Sequence, residues 1–90
     1  MSRFTIKNLR EDITDINDLF AGDGFSIRYE VGARNGYQAV DEYSVYPDGS
    51  RNGSGVNRNI CCGSSRECAV AAWAAYYGRH NCASRAGYVD

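Results

Sequence analysis

Cys61, Cys62, Cys68, His80 and Cys82 fall within one short stretch of the chain, and they are ligand types that tetrahedral zinc accepts. Structural zinc is held by close pairs in knuckles or by helix-borne His pairs. The spacing here supplies neither, because Cys68 falls inside an expected helix while His80 and Cys82 sit in a polar stretch. No metal and no cofactor are expected, and the cysteines read as reduced thiols, the buried ones acting as small hydrophobes. Cys62 precedes a helix amino terminus, whose dipole lowers a thiol pKa, and His80 is the one imidazole available as its base. One His without a surrounding motif does not make a nucleophile, and cysteines that finish a strand commonly bury a thiol in the core. Asp41 and Glu42 are adjacent in an expected strand, so their carboxylates point to opposite faces and cannot share a substrate atom. Gly22-Asp23-Gly24 and Gly53-Ser54-Gly55 lack the strand-to-helix setting and the Lys of a phosphate loop. No catalytic residue is expected, and the chain does not read as an enzyme.

Two charged sets remain. Glu11, Asp12, Asp15, Asp18 and Asp23 put five acids into thirteen residues with no base among them. On a helical wheel the first four lie away from the apolar stripe. Carboxylates strung along a rigid helix can imitate phosphate spacing and bind a basic groove made for nucleic acid, whereas a solvated, solubilising face is the plainer reading. The second set, Arg34, Arg51, Arg58 and Arg66, is the material for direct nucleic-acid contact.

These residues need elements to carry them. Ile6, Leu9, Ile13, Ile16 and Phe20 recur at helical steps, predicting a helix over about 5–21 with Thr5 as N-cap and Gly22 as stop. From Phe25 the period drops to two, with Phe25, Ile27, Tyr29 and Val31 on one side of a strand. Asn35-Gly36 supplies the positive φ angles of a two-residue hairpin turn, and Tyr37 to Tyr46 returns as a second strand. Its two registers, Tyr37, Ala39, Asp41, Tyr43 and Val45 against Gln38, Val40, Glu42, Ser44 and Tyr46, are not ranked by hydrophobicity. Pro47-Asp48-Gly49 is a turn, and a weak edge strand lies within Ser54 to Cys62. Ser64-Ser65-Arg66-Glu67 is a capping box opening a helix expected to end at Tyr77 before Gly78. Its bulky face is Ala69, Val70, Trp73, Tyr76 and Tyr77, with a ridge of small residues at Cys68, Ala71, Ala75 and Gly78. That ridge lets the first helix approach closely, and a monomer is favoured over a homodimer. The last dozen residues, from about 79 to 90, read as a loose tail. The expected architecture is α+β: helix, three-stranded antiparallel sheet, helix, with both helices on one sheet face and the other face, around Arg28, Glu30, Glu42 and nearby tyrosines, open.

Composition agrees with one small module. A chain of 90 residues buries roughly 60% of its unfolded surface. Hydrophobic residues at 43% and charged ones at 23% match globular usage. The net charge of -1 gives no global attraction to nucleic acid. It is uneven, with 5 bases and 8 acids in residues 1–45 against 5 bases and 3 acids in 46–90. No apolar run approaches the ~20 residues that cross a bilayer, and no export signal opens the chain, so a soluble protein of the bacterial cytoplasm is expected.

The stretch Cys62-Gly63-Ser64-Ser65-Arg66-Glu67-Cys68-Ala69, opening an alanine-rich last helix after helix and three strands, resembles the double-stranded RNA-binding domain in layout. That family holds phosphates with several Lys at the start of its last helix; here the matching stretch offers Arg66 beside Glu67. As a whole, a small module with an acidic helix, exposed tyrosines and no catalytic motif resembles in type the small phage-encoded anti-CRISPR inhibitors. The resemblance implies a stoichiometric protein that blocks a host CRISPR effector, a protein or ribonucleoprotein complex, by occupying its surface. Expected contacts are Glu11, Asp12, Asp15, Asp18 and Asp23, with Tyr43 and Tyr46 as aromatic anchors. Direct nucleic-acid binding and a cysteine-dependent enzyme or zinc protein are the alternatives.

Overall fold

Leu9, Ile13, Ile16 and Phe20 form the buried stripe of α1, Ile6–Asp23, as their spacing requires. Burying such side chains stabilises by about 1.5–3 kcal/mol each. Thr5 caps the helix: its Oγ1 accepts from the Asn8 amide at 3.4 Å and its own amide donates to Asn8 Oδ1 at 2.9 Å. The computed structural model describes residues 4–23, 27–46, 48–53 and 55–80. Within them β1 spans Ile27–Arg34, β2 Tyr37–Ser44, β3 Arg58–Gly63 and α2 Ser65–His80. The sheet is antiparallel in the order β1-β2-β3, and among the described residues no helix is long and apolar enough to cross a membrane.

The α1 helix packs on β1, α2 on β2 and β3, and the helices on each other, giving the expected helix, three-strand, helix layout with an outer sheet face that neither helix covers. The helices run in the same direction. Arg66 at the start of α2 lies over the Phe4 ring at 5.4 Å, while Phe20 meets Tyr76 edge-on at 5.1 Å near the other ends. Asn17 ties α1 to the sheet: its Oδ1 accepts from the Tyr29 amide and its Nδ2 donates to the Tyr29 carbonyl, both at 2.8 Å.

Local signals hold at the turns. Asn35 and Gly36 have φ of 51° and 82°, the left-handed angles of the two-residue hairpin. At the next turn Gly49 donates to the Tyr46 carbonyl at 2.8 Å. The capping box forms, Ser64 N donating to Glu67 Oε1 at 2.9 Å and Glu67 N to Ser64 Oγ at 3.2 Å. Gly63 leaves room for it, since a Cβ there would stand 2.9 Å from Glu67 Oε1 and the carboxylate would have to shift.

Several expectations are corrected. Neither Gly22 nor Gly78 stops its helix: α1 continues to Asp23 and α2 to His80. The expected tail therefore begins inside α2, and residues 81–90, like Phe25 and Pro47, lie outside the described residues. Val70 is 58% exposed, and the buried side of α2 is Cys68, Ala69, Ala72 and Tyr76. Of the expected ridge, Cys68 is buried, Ala75 packs against the core and Gly78 is exposed. Trp73 is partly buried on the α1 side, its ring edge-on to Tyr76 at 6.1 Å. In β2 the register that faces the helices is Gln38, Val40, Glu42 and Ser44, because Val40 pairs with Val31 and Glu42 with Tyr29. Glu42 is thus not on the open face.

Candidate binding surfaces

The open face of the sheet carries Arg28, Glu30 and Arg34 from β1 opposite Tyr43, Asp41 and Tyr37 from β2. After β2, Val45 forms an isolated antiparallel bridge with Arg51, which returns Arg51 to this face. There the Arg51 guanidinium forks onto Glu30 and covers the Tyr43 ring at 3.9 Å from its centre. Arg28 reaches Glu30 at 3.7 Å, and Arg34 reaches Asp41 at 3.3 Å. A register shift between Val40 and Asp41 admits Asn59, whose Nδ2 donates to Asp41 Oδ1 at 2.9 Å and to the Val40 carbonyl at 3.2 Å. Glu42, only 2% exposed, meets Arg58 at 3.3 Å on the opposite side. As expected, the neighbouring carboxylates of Asp41 and Glu42 diverge.

The basic set is therefore divided. Arg34 and Arg51 belong to the outer face, Arg58 to the helix side, and Arg66 to the start of α2. Three of the four are held by carboxylates of the sheet. Tyr43 is not an open aromatic anchor, because Arg51 lies on it. Tyr46 is 50% exposed, and Tyr37, which pattern reasoning did not select, is 60% exposed.

The acidic set is more coherent but smaller than expected. Glu11, Asp15 and Asp18 are exposed on α1, and among the described residues none forms an ion pair. Asp12 is turned inward: burial raises its pKa above the ordinary carboxylate value, and a hydrogen bond from the Trp73 indole partly opposes that rise. The Asp23 side chain lies outside the described residues. Lys7 and Arg10 join Ile6, Glu11, Thr14 and Asp15 around an open groove, so the amino-terminal end of this face is mixed in charge. Counting acids from Glu11 onward hid those two bases; extending the wheel back by one turn would have found them.

The thiols separate as well. Cys62 is exposed, its Sγ directed at the Arg34 carbonyl at 3.7 Å. Cys68 is buried, and its thiol donates to the Gln38 carbonyl at 3.4 Å. Burial, reinforced by the neighbouring Cys61, pushes the Cys68 pKa up to about 11. No group of three metal-ligating side chains occurs among the described residues; Cys82 and the His80 side chain fall outside them. No protein-family model matches the chain, and no curated protein or solved structure matches it.

Proposed function

We propose that this chain is a non-enzymatic inhibitor that works by occupation, its α1 lying in a basic, nucleic-acid-handling groove of a host CRISPR-type protein or ribonucleoprotein complex. One contrast carries the reading. Glu30, Asp41 and Glu42 are each matched to an arginine within the chain, whereas Glu11, Asp15 and Asp18 are exposed and unmatched among the described residues. Steps of four and three residues place these carboxylates on one side of α1, rising about 6 and 4.5 Å along the axis. Such a line presents to a basic groove a charge comb comparable to a phosphate backbone. Asp12, held by Trp73, supports the helix position more than the contact. Tyr46 offers an exposed aromatic anchor at the sheet end.

Direct nucleic-acid binding has weaker support, because Arg34, Arg51 and Arg58 are already neutralised and face two different sides. The test adds the purified chain to CRISPR effector complexes and follows target-DNA capture by mobility shift. DNA capture should fail near one-to-one stoichiometry, and the chain alone should shift neither DNA nor RNA at low salt. A salt-sensitive shift by the chain alone, without inhibition, would replace this reading with the nucleic-acid module.

A further inference from the structure

Cys61 of β3 pairs with Val40 and so lies on the helix side of the sheet, and Cys68 lies at the end of the first turn of α2. Cys68 Sγ lies 3.9 Å from the carbonyl of Cys61, and Cys61 packs against the buried cluster that contains Cys68. Both are free. Cys61 is half-buried, open enough for a small oxidant, whereas Cys68 is enclosed. Cys62 pairs with Ala39 in the register and projects to the outer face, so it is turned away from both.

We propose that Cys61 and Cys68 form a two-thiol oxidation site, in which a peroxide-class oxidant converts the pair into a disulfide joining β3 to α2. Cys61 sulfur attacks one peroxide oxygen; the O–O bond breaks, hydroxide leaves and takes up a proton as water, and Cys61 becomes a sulfenic acid. Cys68 sulfur then attacks the Cys61 sulfur. The S–O bond breaks, the S–S bond forms, and the departing hydroxide carries off the Cys68 proton as a second water. The two thiols lose two protons and two electrons, and the peroxide takes up both to become two waters. With Cys68 Sγ already against the Cys61 backbone, side-chain rotation is what must bring the two sulfurs to the ~2.05 Å bond. Closure removes the Cys68 donation to Gln38, and a dithiol reductant reverses it.

The site is independent of what α1 binds, and its test is a mass measurement on the purified chain. After stoichiometric hydrogen peroxide, intact mass should fall by two hydrogens, and digestion without reductant should yield a peptide linking Cys61 to Cys68. Dithiothreitol should restore the mass. Cys62→Ser should oxidise in the same way and at a similar rate, while Cys61→Ser and Cys68→Ser should lose the linked peptide. The oxidised chain should melt at a higher temperature than the reduced one, because the cross-link restricts the unfolded chain. Oxygen adducts confined to Cys62, or a link between Cys61 and Cys62, would overturn the assignment. So would a Cys62→Ser chain that forms no link.

Discussion

Asn17 of α1 occupies the place of a strand partner for Tyr29 of β1, accepting from its amide and donating to its carbonyl at 2.8 Å each. β1 is an edge strand, and the carboxamide saturates both Tyr29 backbone groups on the side away from β2. An unsaturated strand edge is a template for pairing with other chains, and a helix-borne amide blunts it.

Replacing Asn17 should therefore matter more than its polar, partly buried setting implies. Asn17→Ala removes both bonds and should cost about 1–3 kcal/mol, read as a lower urea midpoint. Asn17→Asp keeps the acceptor for the amide but sets a carboxylate oxygen against the Tyr29 carbonyl, so it should be no better than Ala. A wild-type midpoint in Asn17→Ala would show that the pair contributes nothing.

The Asp12 contact gives a pH effect of definite sign. Burial raises the Asp12 pKa above its ordinary 3.8, so the folded state binds a proton more readily than the unfolded chain. The stabilising contribution is fully present below the unfolded value and is lost as pH rises through the folded one. Asp12→Asn should raise the neutral-pH melting temperature and remove this component of the acid response, since an amide oxygen still accepts from Trp73. Trp73→Ala should cost about 3 kcal/mol through lost packing. A fall in neutral-pH stability on Asp12→Asn would reverse the assignment.

At the start of α2 the signs are opposite. Hydrogen bonds from the Ser64 amide and then the Ser64 hydroxyl hold the Glu67 pKa below its ordinary 4.5. That contribution is present above the unfolded pKa and is lost as pH falls through the folded one. Ser64→Ala should cost about 1 kcal/mol at neutral pH, and its deficit relative to wild type should shrink in acid. A deficit independent of pH would dissociate Glu67 from the cap.

Reversing Asp15 and Asp18 to Lys should leave the melting temperature nearly unchanged, because both are exposed and Lys is a good helix former. Inhibition of DNA capture should be lost. Binding kinetics identify the kind of contact, a slower association marking rim charges and a faster dissociation marking buried ones. The basic control must avoid Arg58, since Arg58→Glu would place a second carboxylate beside buried Glu42 and destabilise the fold. Arg66→Glu is the cleaner control. Inhibition unaffected by the aspartate reversals but abolished by Arg66→Glu would move the contact to the start of α2.

The elements themselves were legible in the chain because their signals are local. The α1 stripe, the β1 alternation, the Asn35-Gly36 turn and the Ser64 cap all depend on residues within a few positions of one another. Helix ends were less legible, because a glycine stops a helix only where it takes up a positive φ, and both helices run past Gly22 and Gly78. The facing of β2 was encoded but not extracted: a two-residue turn sets Arg34 opposite Tyr37, and counting back sets Val40 opposite Val31 and Glu42 opposite Tyr29. The pairing of charges was decided by tertiary structure alone. Arg51 covers Tyr43 and neutralises Glu30 because an isolated bridge after β2 turns it back over the sheet, Arg58 meets Glu42 across a register shift, and Asp12 meets Trp73 only where two helices pack. Local periodicity states which side of an element is apolar; which charges remain for a partner depends on groups brought together from distant parts of the chain, and only packing selects them.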